Sequence, residues 1–147
     1  MKLSKSVILL AFLAITISLP TQGTCREDEG QSPPAGTASE KLTLGSAAMC
    51  QGIRDFAPLN RAIVFSVTIG EVFCFTFFNP VPEKIFVYHA WHFKDELITE
   101  KKLTLKPPQW STYSSIKLRD ADKGPWRVEI TDEAGTLHRV LRFSITD

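Results

Sequence analysis

The chain has 147 residues and a net charge of +1. That length fits one folded domain with flanking segments, and the balance of charge lacks the basic excess that tracks a phosphate backbone, so nucleic acid is excluded as a partner. Hydrophobic residues make up 44% of the chain and aromatic residues 10%, enough to build a real core.

The N-terminus has the layout of a secretory signal peptide over residues 1–23. Lys2 and Lys5 precede an uncharged apolar run from Ser6 to Leu19, Pro20 ends the run, and Thr21-Gln22-Gly23 offers small residues for cleavage after Gly23. An uncleaved membrane anchor is the alternative, but the run is shorter than the roughly 20 apolar residues a spanning helix needs. Cys25 stands just after this run, where a lipoprotein signal places its acylated cysteine. The preceding Gln22-Gly23-Thr24 departs from the usual Leu-(small)-(Gly/Ala), so Cys25 is a lipidation candidate with an unmodified terminus at Thr24 as its rival. Residues 24–40 are rich in Pro, Gly, Ser and charge without apolar periodicity, and read as a flexible linker. The folded domain is expected over residues 41–147.

Export implies an oxidising compartment in which disulfides persist, with the protein periplasmic or tethered to the outer membrane, or else secreted. Of the three cysteines, Cys50 and Cys74 lie in apolar surroundings, AAMCQGI and EVFCFTFF. A Cys50–Cys74 bridge is expected, which would stabilise the domain by roughly 3 kcal/mol on the chain-entropy model. Two buried free thiols packing as small apolar groups are the alternative. No second Cys or His stands at the short spacing of a zinc motif.

Short β-prone runs separated by turn residues fill the domain. Ala47 to Ile53 reads as a first strand, and Arg61 to Ile69 is a less regular β-prone run. Glu71 to Phe78, EVFCFTFF, is nearly all apolar and predicts a central strand buried on both faces; Pro80 and Pro82 then end it. In Lys84 to Lys94, KIFVYHAWHFK, one face carries Ile85, Val87, His89, Trp91 and Phe93, the other Phe86, Tyr88, Ala90 and His92. Leu97 to Leu105 carries Glu100, Lys101 and Lys102, the charge that blunts a sheet edge. Trp110 to Leu118 alternates again after the Pro107-Pro108 break. Gly124 to Thr146 closes the chain as a hairpin, with Trp126, Val128 and Ile130 on one side of a Gly135 turn and Leu141, Phe143 and Ile145 on the other. About seven strands with short connections predict an all-β fold, an antiparallel two-sheet sandwich of immunoglobulin or fibronectin type. A small barrel is the alternative.

These residues also carry a resemblance. The aromatic VFCFTFF, the His89-x-Trp91 pair, Trp110 with its Ser-rich strand, Gly124-x-Trp126-Arg127-Val128-Glu129, Gly135 and Phe143 occur in this order. From about Ala47 to the C-terminus, the chain resembles a bacterial domain family of unknown function, number 2914 in that series. The resemblance implies an exported or membrane-tethered envelope protein and no particular activity. One departure is Lys94-Asp95-Glu96-Leu97, where the family pattern implies a hairpin containing glycine.

His89 is the sharpest candidate for chemistry. It reads either as a polar group at the floor of a ligand site or as a core histidine bonded to backbone or to a serine of WSTYSS. His89 and His92 are three apart on a strand, hence on opposite faces, and do not share a metal ion without a bulge. No Gly-x-Ser-x-Gly elbow is present, and Asp95 and Glu96 sit in a turn, so a hydrolase centred on His89 is the weakest of the readings. Trp91 and Trp126 lie within apolar stripes and read as core, whereas Trp110, with Tyr113 and Tyr88, is the better stacking platform for a sugar ring. The sequence thus predicts a non-catalytic binding or structural module of the cell envelope without a cofactor. Its partner would be an envelope protein or a glycan, and its candidate contacts are His89, Trp91, Trp110, Tyr113, Tyr88 and His92.

Overall fold

A computed structural model describes residues 40–147. The expected signal peptide, the linker up to residue 39 and Cys25 lie outside the described residues. Among the described residues there are nine strands: β1 (Leu44–Arg54), β2 (Ala57–Arg61), β3 (Val64–Ser66), β4 (Glu71–Phe78), β5 (Ile85–Phe93), β6 (Glu96–Leu105), β7 (Trp110–Lys117), β8 (Gly124–Asp132) and β9 (Leu137–Thr146). They form a four-stranded sheet in the order β2-β1-β4-β7 and a five-stranded sheet in the order β3-β9-β8-β5-β6. The expected all-β architecture of two sheets is borne out, and the alternative of a closed barrel is not.

Strand number and pairing are corrected. The run from Arg61 to Ile69 is not one strand. It ends β2, crosses to the other sheet, forms β3 and closes with a 3₁₀ turn at Val67–Ile69. The crossing is fixed by the Ala62 amide donating to Met49 O at 3.2 Å on one sheet and the Ser144 amide donating to Ile63 O at 2.9 Å on the other. Ser66 Oγ then accepts from the Thr68 amide, and Gly70 reverses the chain at a φ of 77°, a left-handed value that glycine adopts without a Cβ penalty. Because the chain reaches β9 from that side, β3 pairs with it in parallel, and the five-stranded sheet is mixed rather than antiparallel.

The two sheets share one core. β4 contributes Val72, Cys74 and Phe78, β5 contributes Val87 and Trp91, and Val128, Ile130, Phe143 and Ile145 of the closing hairpin complete it. Each such side chain contributes on the order of 1.5–3 kcal/mol by leaving water. Phe143 is the aromatic hub: it stacks on Trp126 at 6.2 Å and meets Trp91 and Phe65 edge-on at 6.1 and 6.0 Å.

Two hairpins turn without glycine. Asp55 and Phe56 join β1 to β2 at φ values of 50° and 56°, and Lys94 and Asp95 join β5 to β6 at 46° and 68°. Two-residue turns matching the twist of paired strands require positive φ at both positions. At Lys94-Asp95, ordinary side chains accept the conformation that the family pattern leads one to expect of glycine.

The bridge expected between Cys50 and Cys74 is not formed, and both thiols are free and buried. Met49 stands opposite Cys74 and Cys50 opposite Phe73. Successive residues of a strand point to opposite faces, so Cys74 faces the core and Cys50 the outer side of the same sheet.

Candidate functional site

The sequence candidates fall into three separate places. His89 and Trp91 face the core from the middle of β5 and are fully buried. Tyr88 and His92 lie on the outer face of the five-stranded sheet, where Tyr88 stands opposite Lys102 and His92 opposite Arg127. Tyr113 lies on the outer face of the four-stranded sheet, 6.0 Å from the Phe73 ring, while Trp110 stands opposite Phe78 at the rim. No one site gathers them.

His89 crosses the core. Its Nδ1 is 2.9 Å from Ser114 Oγ of β7 and its Nε2 is 3.3 Å from Thr76 Oγ1 of β4. Trp91 Nε1 donates to the same Ser114 Oγ at 3.1 Å, and Thr76 Oγ1 donates to Thr112 O at 3.4 Å. One arrangement of protons gives every donor in this chain an acceptor. Ser114 accepts from Trp91 and donates its hydroxyl proton to Nδ1; Nε2–H donates to Thr76 Oγ1, whose own proton goes to the Thr112 carbonyl. The imidazole is therefore the neutral Nε2–H tautomer, assigned by requiring each donor to have an acceptor. Burial lowers its pKa to about 4. Protonating Nδ1 would also remove the acceptor of the Ser114 hydroxyl.

Ser114 beside His89 has the spacing of a nucleophile and its base, but not the setting. Both side chains are buried in the core, and a histidine with a pKa near 4 is a poor base at neutral pH. The cysteines are no better placed. Burial pushes both thiols up, away from the thiolate that nucleophilic or redox chemistry needs.

An aromatic hollow lies at the surface. Phe56, Phe77, Gln109, Trp110 and Ser111 line a cavity of about 270 Å³. Register alone would put the tip of the β1–β2 hairpin at the other end of β4 from Phe77. The β1–β4 ladder, however, stops at Cys50–Phe73, and Phe56 at the hairpin tip lines the hollow beside Phe77. Phe56 itself is 76% exposed and has a left-handed backbone, which costs a bulky residue about 1–2 kcal/mol. Trp110 packs one side on the core cluster and has Lys106 Nζ at 5.5 Å from its ring. Sequence reasoning selected Trp110 and missed Phe56, Phe77 and Gln109. Only the Asp-Phe pair between two apolar runs hinted at a turn, and nothing local indicated where its tip would fold.

Residues 85–145 match the family model of a protein of unknown function, DUF2914. The resemblance read from the sequence is thereby borne out from the start of β5 to near the end of β9, while VFCFTFF lies before the matched span. No curated protein matches the chain. The DUF2914 span contains His89, Trp91 and Ser114 of the core chain of hydrogen bonds, together with Trp110. Its description assigns no activity. Phe56 and Phe77 lie outside it, so the hollow joins a DUF2914 strand to elements that precede the match.

Proposed function

We propose that this protein is a non-catalytic binding module of the bacterial cell envelope, exported and built as an immunoglobulin-like sandwich, with the aromatic hollow as its ligand site. One observation carries the reading. The groups with the chemistry of a catalyst, His89 and Ser114, are sealed in the core with their hydrogen bonds satisfied, while Phe56 is held exposed on an unfavourable backbone beside Phe77 and Trp110. Strained residues concentrate at functional sites because surrounding structure must hold them there.

The ligand class is a glycan. Aromatic rings offer flat apolar faces to the C–H face of a sugar, and Gln109 and Ser111 on the same wall offer hydrogen bonds to hydroxyls. Trp91 and Trp126 are buried, so Trp110 is the tryptophan that senses a ligand. Titrating envelope glycan fragments while recording tryptophan fluorescence should show a saturable change with one member, abolished in Phe56→Ala. No response across the panel, or an undiminished response in Phe56→Ala, would overturn the reading.

A protein partner is the second reading, favoured by β6. This edge strand leaves Leu97 and Ile98 exposed, and an open edge accepts an added strand. Protection of β6 amides from hydrogen exchange by an envelope extract would favour it over the glycan. The same reading makes Cys25 the candidate lipid attachment point; the mass of the mature protein decides between a lipidated Cys25 and an unmodified terminus at Thr24.

A further inference from the structure

The outer face of the five-stranded sheet carries a row of cationic and titratable groups on three neighbouring strands. His92 of β5 stands directly opposite Arg127 of β8, and Arg127 directly opposite Arg142 of β9. Side chains so paired have Cβ atoms only about 4.5–5.5 Å apart, and like charges in that relation are destabilising. Above the row, the β5–β6 turn adds Lys94 and Asp95, and these five residues line a hollow of about 130 Å³.

The charges are unevenly matched. Arg127 pairs with Asp95 and with Glu129, whereas Arg142 has no ion pair among the described residues. His92 Nδ1 is buried with no hydrogen-bond partner. The His92 ring lines the same hollow as the three cationic side chains. Asp95 is the movable part: its side chain is 89% exposed, against 18% for Arg127, so it can leave Arg127 for water at little cost.

We propose that this hollow binds a tetrahedral dianion, a phosphate or sulfate group, between Arg127, Arg142, Lys94 and His92, displacing the Asp95 carboxylate. A monoanionic carboxylate offers Arg127 nothing that Asp95 does not already supply. A dianion brings a second charge and further acceptor oxygens, enough to engage Arg142 and Lys94 together with Arg127. The site lies on the opposite sheet from the aromatic hollow and does not depend on it.

The test is an NMR titration of the full-length protein at fixed ionic strength, with inorganic phosphate, sulfate and acetate as probes. Phosphate or sulfate should shift the His92, Lys94, Arg127 and Arg142 signals saturably, and acetate should not. Arg142→Gln removes an exposed, unpaired charge and should weaken binding by about tenfold, the effect of losing one charge-assisted hydrogen bond. Asp95→Asn keeps a residue that tolerates the left-handed turn and should tighten binding by about threefold or more as the competing charge is lost. Equal shifts with acetate, an unchanged affinity in Arg142→Gln, or weaker binding in Asp95→Asn would each overturn the proposal.

Discussion

His89 and His92 lie on the same strand, and face opposite sides of the five-stranded sheet. His89 meets Ser114 and Thr76 from the other sheet, so both its nitrogens are occupied. His92 faces outward beside Arg127, and its Nδ1 has no partner. One imidazole is a crosspiece between sheets, fixed as neutral by burial and by the direction of its hydrogen bonds. The other lines a charged hollow on the outer face. The pair teaches that strand parity, and what the opposing sheet supplies, decide the role of a histidine more than its sequence neighbours do.

The largest effect that can break this comparison is truncation. His89→Ala leaves a core cavity and strands the Ser114 hydroxyl, and should cost about 3–5 kcal/mol, whereas His92→Ala should cost less than about 0.5 kcal/mol. Urea unfolding measures both, and equal losses would mean that the two histidines do not differ as described.

Acid comes next. The folded pKa of His89 is lowered to about 4 from an ordinary value of 6.5, so between these values the unfolded state binds the proton that the folded state refuses. Stability is therefore fully present above pH 6.5 and falls as the pH drops towards 4, by roughly 3 kcal/mol in all. The slope should vanish in His89→Leu and persist in His92→Gln. Asp122, held down mainly by its hydrogen bond from Arg119, adds a further loss as the pH falls below its ordinary 3.8.

Smaller effects sharpen the contrast between inner and outer faces. Ser114→Ala removes the shared partner of His89 and Trp91 and should cost about 2 kcal/mol; Ser115→Ala, on the outer face beside Glu71, should cost under about 1 kcal/mol. Smallest is Phe56→Gly. Relief of the left-handed backbone should raise stability by about 1 kcal/mol while ligand binding at the aromatic hollow is lost, a trade visible by comparing melting with fluorescence titration.

Much of the strand pattern was legible in the sequence. EVFCFTFF is β4 and lies inside its sheet, although it is not buried on both faces as expected, since outward-facing Phe73 and Phe77 are half-buried; KIFVYHAWHFK contains β5 with the expected inner and outer faces, and the charged run Leu97 to Leu105 is the edge strand β6. Two kinds of feature were not. Arg61 to Ile69 looked continuous because β propensity does not reveal a change of sheet, and the change rests on hydrogen bonds to Met49 and Ser144. The turns at Asp55-Phe56 and Lys94-Asp95 carry no glycine to announce their positive φ. The cysteine expectation failed for a related reason: apolar surroundings are alike on both faces of β1, and only the register against β4 separates Cys50 from Cys74.

By itself the sequence determined which residues point the same way, because the two-residue period of a strand is a local property of the backbone. It also determined that the apolar stripes of β5, β8 and β9 must be covered. The tertiary structure alone decided what covers them and what meets whom: β3 beside β9 in parallel, Ser114 and Thr76 at His89, Phe56 over Phe77, and Arg142 beside Arg127 and His92. Those contacts join residues far apart in the chain, and their register is set by packing across the sheets rather than by any neighbouring residue.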